Sequence, residues 1–79
     1  MKNKIDVIVG EIFRNRRIDL RLSQTQLGEK VGMPQSTYAC YEKGLRGMSL
    51  ETYFALCEAL HLDPNEVHEE VKKQLDDNA

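Results

Sequence analysis

Two short helices joined by a tight turn are predicted between Ser23 and Gly44. Ser23 and Gln26 form a capping box, in which each side chain accepts a hydrogen bond from the backbone N–H of the other residue. Gly32 can end this first helix, because glycine readily adopts the left-handed conformation found at helix termini. Pro34 can begin the next helix without the loss of a helical hydrogen bond. The segment is therefore predicted to form a helix-turn-helix.

The rest of the chain also has helical patterns, and no part of it alternates as a strand does. Apolar residues three and four apart predict a first helix from Asp6 to about Leu20. Ser49 is expected to cap a fourth helix, whose apolar side is predicted to contain Leu50, Tyr53, Phe54, Cys57 and Leu60. The segment Asp63-Pro64-Asn65-Glu66 starts a fifth helix, which is expected to run over residues 64–75. We therefore predict an all-α, compact five-helix fold and a single domain over residues 1–79.

Charge is unevenly distributed along the chain. Residues 1–48 contain nine Lys or Arg and five acids, a net charge of +4, whereas residues 49–79 contain two lysines and eight acids, a net charge of −6. Because a phosphate partner responds to the local field, a basic surface for nucleic acid is compatible with the overall charge of −2. Ordinary scatter of solvated charge is the alternative.

Composition excludes several classes of function. A chain of 79 residues forms one modest core, and no apolar run approaches the ~20 residues of a membrane span or resembles a secretion signal. We therefore expect a cytoplasmic protein with no membrane partner, in which Cys40 and Cys57 are reduced. Cys57, His61 and His68 could hold zinc. However, Cys57 is better explained as a core residue and His61 as a residue at a helix C-terminus, so we expect no metal, cofactor or catalysis.

The helix predicted from Gln35 to Lys43 has short side chains on its outer face. Tyr38 and Tyr41 are expected to face the body of the domain, which leaves on the other side Gln35, Ser36, Ala39 and Cys40. A solvated helix normally has Glu and Lys here, whereas short side chains favour close approach to another surface. Glutamine can bond adenine through two hydrogen bonds, serine can donate or accept, and alanine can contact a thymine methyl.

The segment LRLSQTQLGEKVGMPQSTYACYEKG resembles the helix-turn-helix of the Cro/phage-repressor (XRE) family of bacterial transcription regulators. The resemblance covers roughly residues 9–67 and extends through SLETYFALCEALHLDPNEV. It implies a lambda-repressor-like fold, with a helix-turn-helix at residues 24–43 and a recognition helix at residues 35–43 in the major groove. The implied function is a sequence-specific transcriptional regulator, expected to be a repressor, that binds double-stranded DNA. We expect a homodimer on a palindromic operator.

The resemblance also implies roles for individual residues. The base-contacting positions that it implies are Gln35, Ser36 and Cys40, to which the helical face adds Ala39. The positions near the DNA backbone are Gln24, Pro34, Thr37, Lys43 and Arg46. Arg17 and Glu42 match a pair that ties the first helix to the end of the recognition helix. Two alternatives remain open, since Gln24 could act only as part of a helix cap and Cys40 only as a half-buried packing residue.

Some positions depart from the family pattern. Gly28 replaces the usual alanine, which permits close helix packing but weakens the helix. Arg16 replaces a common leucine, so we expect it either to point to solvent or to serve the phosphate surface. Because Ala39 and Cys40 form hydrogen bonds poorly, direct base recognition is expected to depend on Gln35 and Ser36, with a contribution from DNA shape.

A protein-binding module is the alternative function. The acidic last helix could bind a basic protein, as in an antitoxin-like or adaptor protein. The same helix has an apolar stripe formed by Val67, Val71 and Leu75. This stripe could pack against the first helix of its own chain or contact a second copy across a two-fold axis.

Overall fold

Five α-helices and no strand are present in residues 3–77, the part of the chain that the computed structural model describes. The helices are α1 (Lys4–Asp19), α2 (Gln24–Val31), α3 (Gln35–Glu42), α4 (Leu50–Ala59) and α5 (Pro64–Asp77). The predicted all-α, five-helix fold class is thus confirmed. Within this part of the chain, no helix is both long enough and apolar enough to cross a membrane.

Polar side chains determine where several helices begin. Asn3 caps α1 and accepts a hydrogen bond from the Ile5 N–H at 2.8 Å, which explains why α1 begins two residues before the predicted start. At α2 the predicted capping box is present: the Gln26 N–H donates to Ser23 Oγ at 2.9 Å, and the Ser23 N–H donates to Gln26 Oε1 at 2.8 Å. The signals for the second helix were therefore interpreted correctly.

The core lies between α1, α2, α3 and α4, with one residue contributed by α5. Its fully buried side chains are Phe13, Leu27, Tyr38, Leu56, Cys57 and Leu60. Tyr38 and Tyr41 both face this core, as the periodicity of α3 predicted.

The prediction for the apolar side of α4 was partly wrong. Leu50 and Phe54 are 73% and 53% exposed, whereas Leu56, which was not predicted to be buried, has no exposed surface. Two sets of apolar residues in α4 have the same helical spacing, one beginning at Leu50 and the other at Tyr53. Periodicity alone does not distinguish them, and the packing of α4 against the other helices selects the second set.

Two glycines allow close backbone contacts around α3. A Cβ atom on Gly10 would collide with the backbone carbonyls of Tyr41 and Glu42, so α1 crosses the end of α3 at backbone distance. A Cβ atom on Gly28 would lie 2.6 Å from the Met33 carbonyl oxygen, within the turn before α3. Glycine at position 28 thus provides more than close packing, because an alanine would push this turn away from α2.

Arg16 stabilises the C-terminus of α4. Its Nε donates to the Leu60 carbonyl oxygen at 2.9 Å, and its Nη2 donates to the His61 carbonyl oxygen at 3.3 Å. The last carbonyls of a helix lack helical partners and carry partial negative charge, so a cation is favourable there. Both expectations for Arg16, a solvent position and the phosphate surface, were therefore wrong.

The apolar stripe of α5 packs largely within its own chain. Val67 is only 2% exposed and belongs to the core, Val71 packs against that core, and Leu75 is half-buried. Helix α5 lies against α1, which is the first of the two expectations for this stripe. Because Val67 has almost no accessible surface, the prediction that it contributes to a dimer contact is wrong.

Candidate nucleic-acid interface

Helices α2 and α3 form a helix-turn-helix joined by three residues. Gly32 follows α2 in the left-handed conformation, with φ of 72°, and the Met33 N–H donates to the Gly28 carbonyl oxygen at 2.9 Å. Pro34 is the N-cap of α3, one position earlier than the first-turn position predicted for it. Helix α3 ends at Glu42 rather than at residue 43, a difference within the usual fraying of helix ends.

The outer face of α3 is accessible at its start and partly covered further along. Gln35 and Ser36 are exposed, whereas Ala39 and Cys40 are half-buried. Residues 35, 36, 39 and 40 lie on one side of the helix by its periodicity, opposite the buried tyrosines. Of the positions predicted near the DNA backbone, Pro34, Lys43 and Arg46 are exposed, and Gln24 and Thr37 are half-buried.

A continuous hydrogen-bond network connects α1 to this outer face. Arg17 Nε donates to Glu42 Oε2 at 2.6 Å, and Arg17 Nη2 donates to Glu42 Oε1 at 3.2 Å. Arg17 Nη1 also donates to the Leu22 carbonyl oxygen at 2.7 Å. Gln24 Nε2 donates to Glu42 Oε1 at 2.9 Å, and Gln35 Nε2 donates to Gln24 Oε1 at 2.6 Å. The structure thus pairs Arg17 with Glu42 and brings Gln24 and Gln35 together at the starts of α2 and α3.

The Arg17–Glu42 ion pair is nearly inaccessible to water. The exposed fractions of the two side chains are 12% and 3%. Burial acts to raise the pKa of Glu42, but hydrogen bonds from Arg17 and other neighbours outweigh it and hold that pKa below its ordinary value. The hydrogen bond with Glu42 correspondingly raises the pKa of Arg17. Glu42 is therefore a carboxylate at neutral pH, with the guanidinium as its counter-ion.

The hydrogen bond that Gln24 donates to Glu42 and the one that it accepts from Gln35 were not anticipated from the sequence. Gln24 and Gln35 are eleven positions apart, and each is the first residue of its helix. The tight Gly-Met-Pro turn places these two helix starts side by side. The spacing of eleven residues could have predicted that the two side chains lie close together. The direction of their hydrogen bonds depends on the buried Glu42 carboxylate, which sequence patterns do not reveal.

Arg46 lies beyond α3 against an aromatic ring. Its guanidinium carbon is 5.5 Å from the centroid of the Tyr41 ring, a distance at which cation and π-face attract each other. Tyr41 is buried and fixed in the core, so this contact restricts the otherwise mobile Arg46 side chain. A cation is thereby held close to the C-terminal end of α3.

The cysteine and histidine residues considered for zinc do not form a cluster. Cys57 is 1% exposed and belongs to the core, and His61 follows the end of α4 with a φ of 55°. Over residues 3–77 no group of three or more His, Cys, Asp or Glu side chains is arranged to hold a metal ion. Cys40 and Cys57 are free thiols.

Comparison with known proteins identifies the family. A family model described as a helix-turn-helix domain matches residues 8–69. An uncharacterized HTH-type transcriptional regulator of Sinorhizobium fredii is 30% identical over 73 residues, which are 92% of this chain and 51% of the relative. The chain therefore spans about half the length of this curated relative.

Two solved structures have the same fold. The restriction-modification controller protein C.AhdI from Aeromonas hydrophila is 32% identical, with a TM-score of 0.73 over 78% of this chain and 94% of that one. A point mutant of the controller protein C.Esp1396I, bound to its highest-affinity operator site, has a TM-score of 0.78 over 91% of this chain and 95% of that one. Its identity is 14%, so this second likeness concerns the fold alone.

The chain belongs to the helix-turn-helix domain family. The resemblance to Cro/phage-repressor regulators, inferred from the sequence, is confirmed. These comparisons favour a regulator over an antitoxin-like or adaptor protein, and the proteins that they identify are described as regulators or controllers rather than as enzymes.

Proposed function

We propose that this chain binds double-stranded DNA as a sequence-specific transcriptional regulator, a repressor, with α3 in the major groove. The observation that carries the proposal is the exposed start of α3, where Gln35 and Ser36 are accessible and no acidic residue occurs before the buried Glu42. Residues 1–79 act as one DNA-binding domain in this proposal, and the protein works in the cytoplasm beside the DNA.

The start of α2 is suited to hold the DNA backbone. Helix N-termini present free N–H groups and partial positive charge, which favour phosphate. Ser23 Oγ already accepts from the Gln26 N–H, so the N–H groups of Gln24 and Thr25 remain available. The second hydrogen of Gln24 Nε2 is also available, because the network uses only one. The alternative that Gln24 only caps its helix is less favoured, since Ser23 and Gln26 form that cap.

Further backbone contacts are proposed at both ends of α3. Pro34 and Thr37 lie in the turn before α3 and in its first turn, and Lys43 and Arg46 follow its end. Two cations beyond a helix that enters the groove would contact phosphates along one strand. The contact between Arg46 and the Tyr41 ring supports this role, because it reduces the side-chain freedom that Arg46 would lose on binding.

Direct base recognition is proposed for Gln35 and Ser36. Both are exposed at the N-terminal end of α3, the end of a recognition helix that commonly contacts base edges. Ala39 and Cys40 are half-buried further along the same side, where they would contribute van der Waals contact, for example with a thymine methyl. Sequence-dependent DNA shape would supply the remaining specificity.

A homodimer on an inverted repeat completes the proposal. Its half-sites would lie about one helical turn, ~34 Å, apart. Since Val67 is buried, we place the contact between copies at the exposed apolar side chains of α4, Leu50 and Phe54. Val71 of α5 lines the same surface depression as Leu50, and the half-buried Leu75 follows one turn further along α5. Large exposed apolar side chains close together are typical of interaction surfaces.

A single substitution tests the assignment of α3. Gln35→Ala should weaken binding to the cognate operator by about 1–3 kcal/mol and leave binding to unrelated duplex nearly unchanged. The measurement is a fluorescence anisotropy titration of both duplexes at the same salt concentration. Thr25→Ala, at an exposed α2 position without a base contact, is the matched control and should leave the ratio of the two affinities unchanged. Equal losses on both duplexes with Gln35→Ala would refute base recognition by Gln35.

A further inference from the structure

The buried Glu42 carboxylate is linked to the exposed Gln35 carboxamide through one intervening side chain. Gln24 Nε2 donates to Glu42 Oε1 at 2.9 Å, and Gln24 Oε1 accepts from Gln35 Nε2 at 2.6 Å. Arg17 donates one hydrogen bond to each carboxylate oxygen of Glu42, so Oε1 accepts from both Arg17 and Gln24. The side chains of Glu42, Gln24 and Gln35 therefore form a line of hydrogen bonds that runs from a fixed charge to the proposed DNA surface. Each glutamine in this line donates toward Glu42.

The direction of this line is dictated by hydrogen-bond chemistry. An ionised carboxylate only accepts hydrogen bonds, so Gln24 must turn its NH2 group, not its carbonyl, toward Glu42. The Gln24 carbonyl oxygen then faces Gln35, which can meet it only with its own NH2 group. One N–H and the carbonyl oxygen of Gln35 remain free at the end of the line.

We propose that Glu42 is a positioning residue for base recognition, which acts through Gln24 to fix the atoms that Gln35 offers to the DNA. This inference rests on the DNA-binding function proposed above. One free donor and one free acceptor match the major-groove edge of adenine, which presents the N7 acceptor and the N6 amino donor. Guanine presents two acceptors, N7 and O6, and leaves the Gln35 carbonyl oxygen without a partner.

Reversal of the line would change the recognised base. If residue 42 could also donate, Gln24 could turn its carbonyl toward it and its NH2 group toward Gln35. The Gln35 carbonyl oxygen would then be occupied, and the free side of Gln35 would offer only N–H groups. Such a side chain matches the two acceptors of guanine at least as well as adenine. The buried charge thus selects between the two purines without contact with DNA.

The test compares the affinities of the protein for two operators that differ at one base pair. The base pair read by Gln35 is the operator position at which Gln35→Ala abolishes base preference. Dissociation constants are then measured for the operator and for a copy with guanine in place of that adenine. The original protein should prefer adenine by about tenfold or more, and Glu42→Gln should bring the ratio toward one. If residue 42 is only structural, Glu42→Gln weakens both complexes alike and the ratio stays at its original value, which would overturn the proposal.

Two further variants keep the test decisive if Glu42→Gln folds poorly. Gln24→Lys retains a donor toward Glu42 and a cation for phosphate but has no acceptor for Gln35, so the ratio should also fall toward one. An unchanged ratio in Gln24→Lys would overturn the proposal. Arg16→Met removes bonds to the end of α4 and loosens the fold away from this network, so its ratio should remain that of the original protein. If the affinity ratio fell as far in Arg16→Met as in Glu42→Gln, a specific role for the carboxylate would be contradicted.

Failure of this inference is distinguishable from failure of the proposed function. A protein that binds no duplex DNA would contradict the regulator function itself. A protein that binds its operator with unchanged base preference in Gln35→Ala would retain that function and overturn only the role of Glu42 and Gln35.

Discussion

Glu42→Gln should destabilise the fold far more than an ordinary surface substitution. The substitution removes the charge that neutralises Arg17, whose side chain is only 12% exposed, while Glu42 itself is 3% exposed. Removal of one partner from a buried ion pair typically costs about 3–5 kcal/mol, because the other charge stays buried without compensation. We expect the lower end, about 3 kcal/mol, because the new amide still accepts one hydrogen bond and Arg17 keeps its bond to the Leu22 carbonyl oxygen.

A thermal melt followed by circular dichroism measures this cost. For a domain of this size, each 1 kcal/mol lowers the melting temperature by about 4–8 °C, so Glu42→Gln should melt more than ~10 °C below the parent. Glu58 is an exposed glutamate on α4, so Glu58→Gln is the matched control and should have the melting temperature of the parent. A melting temperature for Glu42→Gln within a degree or two of the parent would refute the claim that the pair is buried and coupled.

The same pair should make the fold sensitive to acid. The pKa of Glu42 in the fold lies below its ordinary value of 4.5, so the unfolded chain takes up this proton first as the pH falls. The stabilisation by Glu42 is therefore complete well above pH 4.5 and is lost as the pH falls through the lower pKa of the folded state. The free energy of unfolding of Glu42→Gln should change less over this acid range than that of Glu58→Gln. Parallel pH profiles for the two variants would contradict the lowered pKa.

Three further substitutions test other contacts of the domain. Arg46→Ala should weaken binding to cognate and unrelated DNA alike and, if Arg46 contacts phosphate, reduce the slope of log affinity against log salt by about 1. An unchanged slope would remove Arg46 from the interface. Phe54→Glu should convert a dimer to a monomer in sedimentation velocity, with Ala55→Glu on the same helix as control; a persistent dimer would place the contact elsewhere. Gly10→Ala should destabilise by about 1–3 kcal/mol through overpacking, whereas Gly47→Ala, where a Cβ has ordinary contacts, should be nearly neutral in urea denaturation.

The order and type of the helices could be predicted from the sequence because their signals are local. The capping box at Ser23 and the glycine at position 32 each act within a few residues of a helix end, and the structure has both where the sequence placed them. The proline at position 34 is displaced by one position, which is the usual precision of such boundaries. The contact at Gly10 is not local in this sense, because the group that requires a small side chain there is the backbone at the end of α3.

Features that depend on contacts between distant helices were predicted less well. Arg16 bonds to carbonyls 44 and 45 positions away, a contact for which no local pattern exists. The buried side of α4 was misjudged because two apolar sets share one period, and only the packed neighbours decide between them. The pairing of Arg17 with Glu42 was available through the resemblance, but its extension to Gln24 and Gln35 required the three-dimensional arrangement.

Enrichment of bound sequences from randomised duplex DNA, followed by a salt titration of the best sequence, tests the proposed DNA-binding function most directly. We predict an inverted repeat with half-sites about one helical turn apart. We also predict an affinity that falls steeply as salt rises, because each neutralised phosphate releases counterions. A chain that enriches no sequence and binds no duplex at low salt would contradict the regulator function and favour a protein partner instead.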